Sequence, residues 1–323
     1  MPDEMIRRHS ICNERCRGCR RKPPGRIATT LPVLICLTLL AMLPCPARAE
    51  RIVTDPLGRR VSIPDAVERV VALAPSIAEM VFALGQEHRL VGVTRFSDHP
   101  PAVRELPQVG SYIHLDLERI VALRPDLCIA IKDGNPKAVI DRLESLGIPV
   151  YAVNPRGLSS VMDTISRLGR LLDAAPRAAS IVADMSARIQ RVDQMVASVS
   201  DRPTVFFQIG ITPIVSIGSE TFIHELIVRA GGTNLTAGAS GYPRFSEEQV
   251  LAMAPEVIIV TTMSRDAGSR EAVERWTRWP NLPAVKKGRV YLVDSNLFDR
   301  PSPRLVDALE LLVGWIHPEL RSP

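Results

Sequence analysis

Cysteine is nearly absent from most of this 323-residue chain. Five of the six cysteines precede residue 50, and only Cys128 follows them, inside a short apolar run. A single cysteine excludes a framework of intramolecular disulfides after residue 50, so stability there has to come from hydrophobic cores. The length is sufficient for two domains, each with its own core. We expect Cys128 to be a small, buried apolar residue.

A basic bias is also missing once the first segment is set aside. The formal net charge is +5, but residues 1–49 hold nine of the basic residues and only three of the acidic ones. The rest of the chain carries 31 Lys and Arg against 32 Asp and Glu. A surface without excess positive charge does not suit nucleic acid, so no nucleic-acid partner is expected.

The start of the chain has the order of a secretory signal. A basic stretch precedes an apolar run over residues 31–43, and Ala47-Arg48-Ala49 then provides a cleavage site. The apolar run of about 13 residues is shorter than the roughly 20 that a membrane-spanning helix needs. We therefore predict a signal peptide over residues 1–49 and a periplasmic protein. The alternatives are an uncleaved anchor and a lipoprotein processed at Cys45, although Pro44 fits that processing poorly.

Motifs of catalysis and cofactor binding are missing from the remainder. It contains no glycine-rich phosphate loop, no H-E-x-x-H zinc motif and no G-x-S-x-G nucleophile motif. Cys12, Cys16 and Cys19 have a spacing that resembles the cluster motif of radical-SAM enzymes, but they lie in the basic leader. We expect no catalytic residue, no metal site and no cofactor. An exported α/β enzyme is the remaining alternative.

Short apolar strands and amphipathic helices alternate after the leader. The predicted strands, rich in Val, Ile and Leu, lie at residues 70–74, 90–93, 127–131 and 150–153. Helical patterns separate them at residues 77–84, 117–123 and 139–146. This order is typical of a parallel sheet that is covered by helices on both faces.

A long helix without glycine is predicted in the middle of the chain. Residues 159–172 form one helical pattern, and Pro176 opens a second that continues to residue 199. The apolar residues of the second helix fall three and four positions apart, at Val182, Met185, Ile189, Val192 and Val196. A helix of this length spans roughly 35 Å. It indicates a stiff strut between two lobes.

The alternation resumes after this helix. Strands are predicted at residues 204–209, 257–261 and 290–293, with helices at residues 222–229, 247–253 and 304–315. The predicted fold class is therefore α/β, with two Rossmann-like lobes that contain parallel sheets and are joined by a single long α-helix. The predicted boundaries are an N-terminal lobe at 50–158, connecting helices at 159–200 and a C-terminal lobe at 201–323.

An internal repeat relates the two lobes. Residues 116–130 and 246–260 both read as a helix N-cap, a short helix, a proline followed by an acid, and a buried strand. Glu118 and Glu248 occupy the same position of the repeat, in the first turn of each helix. From the residues alone, these acids are explained by the preference for negative charge at a helix N-terminus.

Aromatic residues make up only 4% of the chain, yet several follow or precede predicted strand ends. Phe96 follows a strand, Tyr112 and Tyr242 precede the two repeat helices, and Phe298, Asp299 and Arg300 follow the last strand. Ligands of open α/β sheets bind beyond the carboxyl ends of the strands, so these residues are candidates for one binding rim. The alternative is that each one is an ordinary loop or packing residue.

With these features, residues 51–318 resemble the periplasmic cobalamin (vitamin B12) binding proteins of ABC importers. The resemblance is strongest in residues 91–101, 116–127, 207–213, 246–252 and 298–304, the last reading Phe-Asp-Arg-Pro-Ser-Pro-Arg. The helical-backbone class to which that family belongs also carries ferric siderophores and haem. The resemblance implies two lobes joined by one long helix, with small opening motions. It also implies a monomer that delivers a corrinoid to the transmembrane subunits of an importer.

The resemblance also implies roles for individual residues. Glu118 and Glu248 match two glutamates that dock on arginines of the transmembrane subunits, which gives the repeat a functional meaning. The implied ligand-binding residues are Pro75, Phe96, Tyr112, Ile131, Ile209, Tyr242, Phe298 and Arg300. Large aromatic rings suit a corrin, because it offers broad apolar surface edged by amides.

The sequence departs from the family at three of these positions. Ile131 replaces a tryptophan that follows a strand of the first lobe, and Tyr112 and Tyr242 replace tryptophans of the rim. Smaller rings fit another corrinoid or another chelate. Tyr112, His114 and Tyr242 therefore leave open a ferric-siderophore or haem binding protein of the same fold.

Overall fold

The computed structural model of the chain describes residues 49–261 and 268–320, with the side chains of all of these except residues 268 and 269. The described residues belong to a compact unit that begins at Ala49. The predicted signal peptide, with its five cysteines, lies outside them apart from Ala49. Cys128 is fully buried, as the sequence predicts.

A β-hairpin that the sequence analysis did not predict comes first. Strands β1 (Glu50–Thr54) and β2 (Arg60–Pro64) pair antiparallel. The buried carboxylate of Asp55 shapes the turn, because its Oδ1 accepts hydrogen bonds of 2.9 Å from the backbone amides of Leu57 and Arg59. Such local carboxylate-to-backbone bonds are typical of Asp in turns.

The N-terminal lobe contains a fully parallel sheet with the strand order β4-β3-β5-β6. Its strands are β3 (Val70–Ala72), β4 (Leu90–Val93), β5 (Leu127–Ile131) and β6 (Val150–Val153). Its helices are α1 (Pro75–Ala83), α2 (Leu117–Ala122) and α3 (Lys137–Ser145), with 3-10 turns at Glu87–Arg89 and Pro101–Glu105. Strands and helices agree with the predicted ones to within two residues, because both faces of the sheet are buried.

Two helices connect the lobes. Helix α4 (Leu158–Leu171) precedes α5 (Ala175–Ala197), which has 23 residues and confirms the predicted strut. Four of the five apolar positions that predicted α5, namely Met185, Ile189, Val192 and Val196, are buried. Proline in the first turn begins the helix without losing a hydrogen bond, as expected.

The C-terminal lobe contains a mixed sheet, whereas a parallel one was expected. Strands β7 (Thr204–Gly210), β11 (Val257–Val260) and β12 (Val290–Leu292) run parallel, with β9 (Thr233–Asn234) beside β7. Strands β8 (Ile214–Ser216) and β10 (Arg244–Phe245) pair antiparallel. The antiparallel part follows from the short connection between β7 and β8, which is too short for a parallel crossover.

The helices of this lobe cover the sheet. They are α6 (Phe222–Arg229), α7 (Glu247–Met253), α8 (Gly268–Thr277), α9 (Pro283–Lys286), α10 (Ser295–Phe298) and α11 (Leu305–Ile316), followed by a 3-10 turn at Pro318–Leu320. Helix α11 packs on α5 and α6. The two-lobed α/β fold with one long connecting helix is as predicted. No helix within residues 49–261 and 268–320 is long and apolar enough to cross a membrane.

The internal repeat is confirmed in detail. Asp116 caps α2 by accepting a hydrogen bond from the amide of Arg119, and Ser246 caps α7 through the amide of Gln249. The acid after the proline has an equivalent role in both copies, which the sequence did not show. A carboxylate oxygen of Asp126 accepts from the amide of Arg69, and one of Glu256 accepts from the amide of Thr204, each at 3.0 Å. Each acid therefore ties its own strand to the strand beside it.

Candidate functional site

The candidate site is the region between the lobes, beyond the carboxyl ends of the parallel strands, which we call the cleft. Pro75 begins α1 directly after β3, Phe96 follows β4, and Ile131 is the last residue of β5. From the other lobe, Ile209 lies near the end of β7. All four are partly exposed, so they retain surface that a ligand can contact.

Asn135 fixes the N-terminal wall of the cleft. Its Nδ2 donates to the carbonyl oxygens of Leu73 and Tyr112, and its Oδ1 accepts from the amide of Ile131, all at 2.8 Å. The side chain is buried, so these bonds are shielded from water. Gly134 lies against the ring of Tyr112, because a Cβ at this glycine would stand 3.1 Å from Tyr112 Cδ2. One asparagine thus joins the ends of β3 and β5 to the loop that carries Tyr112.

Two tyrosines from different lobes face this space. The pKa of Tyr112 is raised by burial and by the charge of Asp299. Desolvation and the nearby groups of Asp133, Asp299 and Tyr112 raise the pKa of Tyr242, Arg156 acts in the opposite direction, and 59% of the residue is exposed. Each phenol is influenced by a charged residue of the opposite lobe, Tyr112 by Asp299 and Tyr242 by Asp133. Tyr112 also acts on the pKa of Tyr242, so the two predicted rim residues lie near each other in the structure.

Asp299 gives the cleft an unusual carboxyl group. Burial is the main influence on it and raises its pKa to about 7, although a hydrogen bond with Thr261 and the charge of Arg300 act in the opposite direction. The Thr261 hydroxyl lies 3.2 Å from Asp299 Oδ1. Near neutral pH this group therefore exists in both protonation states, and it can donate or accept a hydrogen bond at the floor of the cleft.

Phe298 lies below the cleft, not on its surface. Its side chain is 1% exposed and packs between Phe207 and Trp315, at ring-centroid distances of 5.9 and 5.7 Å. Trp315 in turn stacks on Tyr291 at 5.2 Å. This corrects the expectation that Phe298 contacts the ligand, because its ring has almost no surface left for one. It supports the floor from beneath.

Arg300 is 8% exposed and committed to other protein groups. Its Nη1 donates to Glu79 Oε1 at 2.9 Å and to Asp98 Oδ1 at 2.7 Å. Its Nη2 donates to the carbonyl oxygen of Phe96 at 2.7 Å and to Asn296 Oδ1 at 2.6 Å. Arg300 therefore crosses from one lobe to the other under the cleft, and a direct contact with the ligand stays a prediction.

The rim carries charged residues that the sequence analysis did not select. Arg156 Nη2 and Asp133 Oδ2 form an ion pair of 3.3 Å between the loops that follow β6 and β5. Both side chains are more than half exposed and act on the pKa of Tyr242. After β4, the guanidinium of Arg95 lies 4.7 Å from the ring centroid of Phe96. Asp133 and Arg156 could have been selected from the sequence, because each follows a predicted parallel strand by two or three residues.

The two repeat glutamates lie on exposed helix turns. Glu118 and Glu248 are both exposed, each in the first turn of its helix. A hydrogen bond with Ser246 lowers the pKa of Glu248, so this carboxylate is ionised at neutral pH. Glu247, which precedes Glu248, is instead bonded within the protein, because its carboxylate accepts a hydrogen bond of 2.7 Å from the indole of Trp279. Their role in docking stays a prediction.

Among the described residues, no group of three or more His, Cys, Asp or Glu side chains is placed to hold a metal ion. What the cleft does offer is partly exposed apolar surface, two tyrosines and the partly buried carboxyl group of Asp299. Such a mixture of rings and a few polar groups is typical of a site for an organic ligand.

Comparison with known proteins places the chain among ligand-binding proteins. Residues 70–297 match the periplasmic binding protein family. A vitamin B12-binding protein of Vibrio parahaemolyticus is 32% identical over 245 residues, which are 75% of this chain and 87% of the relative.

Two solved structures share the fold over nearly their whole length. The periplasmic vitamin B12 binding protein of Vibrio cholerae gives a TM-score of 0.70 at 29% identity, covering 79% of this chain and 99% of that one. A periplasmic haem-binding protein of Pseudomonas aeruginosa gives a TM-score of 0.73 at 29% identity, covering 79% and 94%. The similarity therefore extends to proteins that bind two different large chelates.

Proposed function

This chain belongs to the periplasmic binding protein family, and we propose that it captures a corrinoid, with cobalamin as the expected ligand, for an ABC importer. The observation that carries the proposal is a pair of tyrosines from the two lobes, Tyr112 and Tyr242, which lie near enough for Tyr112 to act on the pKa of Tyr242. Two rings from two lobes can enclose a broad, flat ligand that neither lobe could hold alone.

The polar groups of the cleft suit the edge of a corrin, which carries amides. The carboxyl group of Asp299 and the exposed pair of Asp133 and Arg156 supply both donors and acceptors. The apolar faces of Pro75 and Ile209 complete the lining. The protein binds and releases this ligand without altering it chemically, and the ligand's metal arrives already chelated.

A haem or ferric-siderophore ligand is the second candidate, favoured by the similarity to the Pseudomonas aeruginosa haem-binding protein. A tyrosine that ligated haem iron would do so as the phenolate. Burial and neighbouring carboxylates raise the pKa of both Tyr112 and Tyr242, and so disfavour the phenolate. Neutral phenols that pack against a ligand are not affected in this way, which favours the corrinoid.

Delivery to the importer completes the proposal. Glu118 and Glu248 lie at equivalent positions of the two lobes, and both are exposed. Two carboxylates related by the internal repeat suit two positive surfaces of a two-fold permease. The protein is proposed to act as a periplasmic monomer, exported by means of its leader.

Calorimetry on residues 49–323, which form a compact unit, tests the ligand. Cyanocobalamin, hemin and a ferric hydroxamate siderophore are titrated separately. We expect binding of cyanocobalamin at micromolar or lower Kd and no comparable heat with the other two. Absence of heat with cyanocobalamin at micromolar protein would overturn the proposal.

A double variant, Tyr112→Phe with Tyr242→Phe, separates the two candidates further. It keeps both rings and removes both phenols. Corrinoid affinity should stay within about threefold of wild type, because ring packing is retained. Iron ligation by either phenol would instead be lost, so a collapse of hemin affinity in this variant would support the second candidate.

A further inference from the structure

A buried network of charged side chains joins the two lobes beneath the cleft. Glu79 on α1 and Asp98 after β4 come from the N-terminal lobe, and Arg300 and Arg304, between α10 and α11, come from the C-terminal lobe. The side chains of Glu79, Asp98 and Arg300 are 3%, 9% and 9% exposed, and that of Arg304 is 22% exposed. Two positive and two negative groups thus share one largely dry site.

Glu79 is the centre of this network. Its Oε1 accepts from Arg300 Nη1 and Arg304 Nη2, both at 2.9 Å, and its Oε2 accepts from Arg304 Nε at 3.0 Å. Arg304 therefore grips the carboxylate with two parallel bonds, a geometry that fixes direction as well as distance. These bonds join residues that are 221 and 225 positions apart in the chain.

Such a network specifies an arrangement more than it adds stability. The cost of removing four charges from water offsets much of their mutual attraction, and hydrophobic side chains of similar volume would stabilise a fold at least as well. What the charges supply is directional bonding, which is satisfied only at one orientation of the two partners. Here the partners are the two lobes.

The network also touches one wall and the floor of the candidate site. Arg300 Nη2 donates to the carbonyl oxygen of Phe96, which lies on the N-terminal wall. Arg300 directly follows Asp299, whose carboxyl group lies on the floor. A change in the network would therefore displace the surfaces between which the ligand binds.

We propose that Glu79 is a positioning residue that, by holding Arg300 and Arg304 across the lobes, sets the interlobe angle and hence the width of the cleft. The link to ligand affinity depends on the function proposed above, whereas the effect on lobe orientation does not.

Spin-label distance measurements on the protein without ligand test the orientation directly. Labels are attached at Lys137→Cys in the N-terminal lobe and Glu220→Cys in the C-terminal lobe, two exposed positions. The native Cys128 is retained, because it is fully buried and burial raises the pKa of its thiol to about 12. Glu79→Gln keeps the shape of the side chain and removes its charge.

We expect one narrow distance distribution in wild type, and in Glu79→Gln a broader distribution whose mean moves by about 2 Å or more. If open forms come to outnumber the binding-competent form by about ten to one, cyanocobalamin affinity falls about tenfold. The matched control is Glu310→Gln, which removes a carboxylate from the ion pair between Arg188 on α5 and Glu310 on α11. It should leave both the distances and the affinity unchanged.

A Glu79→Gln distribution that superimposes on that of wild type would overturn the inference, whatever happens to affinity. If this variant does not fold, Arg304→Gln takes its place, since it leaves the bond between Arg300 and Glu79. It should give a smaller change in the same direction, and no change there would also overturn the inference. Failure of wild type to bind cyanocobalamin would refute the proposed ligand but would leave the distance test unaffected.

Discussion

The carboxyl group of Asp299 should make the stability of this protein fall as pH rises from 5 to 7. Burial raises its pKa to about 7 in the folded chain, against roughly 3.9 in an unfolded one. Between these values the folded state holds a proton that the unfolded state has lost. The free energy of unfolding contributed by Asp299 is therefore fully present below about pH 4 and is lost as pH rises to about 7.

The size of the effect follows from the same two values. A group that is protonated only in the folded state changes the free energy of unfolding by about 1.4 kcal/mol per pH unit. Between pH 5 and pH 7 Asp299 should therefore account for a loss of at most about 2.7 kcal/mol. Asp299→Asn removes this titration. The asparagine keeps an oxygen that can accept the hydrogen bond from the Thr261 hydroxyl, which is 3.2 Å long in the wild-type protein.

Urea denaturation of wild type and Asp299→Asn at pH 5, 6, 7 and 8 measures the difference. The variant should lose about 2 to 3 kcal/mol less than wild type between pH 5 and 7 and run parallel to it above pH 8. Glu220→Gln, which removes an exposed carboxylate, should keep the wild-type slope. Equal slopes for wild type and Asp299→Asn would show that Asp299 is ionised throughout this range, and the reasoning from burial would be wrong.

Two further predictions concern docking and the floor of the cleft. Replacing Glu118 and Glu248 together by alanine should abolish ligand-dependent stimulation of the importer's ATPase in vesicles. Ligand affinity should stay within about twofold of wild type, because both residues lie outside the cleft. A large loss of affinity would contradict the docking role. Phe298→Ala should destabilise the fold by about 3 to 5 kcal/mol in urea denaturation. Phe298→Leu should cost less and keep ligand affinity, whereas weakened binding at near wild-type stability would point to a direct contact.

The elements of this fold were predictable because their signals are local. Parallel strands buried on both faces appear as short runs of Val, Ile and Leu, and α5 appears as apolar residues at helical spacing. The hairpin of β1 and β2 lacked such a signal, since β1 is half exposed and its turn depends on one carboxylate, Asp55. The antiparallel pairing of β8 was missed because a strand of three residues gives no pattern of its own.

The candidate site was predictable only in outline. The rule that ligands bind beyond strand ends, together with the family resemblance, selected Tyr112 and Tyr242, which the structure does bring to one cleft. The same reasoning could not tell a residue on the cleft surface from one just beneath it. Phe298 and Arg300 follow the same strand as Asp299, and a single helical turn decides which of them points into the core.

The sequence by itself determined the two-lobed plan, the connecting helix and the equivalence of Glu118 and Glu248, because periodicity and internal repeats are properties of neighbouring residues. Only the tertiary structure decided how the lobes are held together. Glu79 resembles any acid on an amphipathic helix until the fold brings Arg300 and Arg304 to it from more than 220 positions away. Partners of a buried charge are set by the packing of whole lobes, and hydrophobic periodicity carries no record of them.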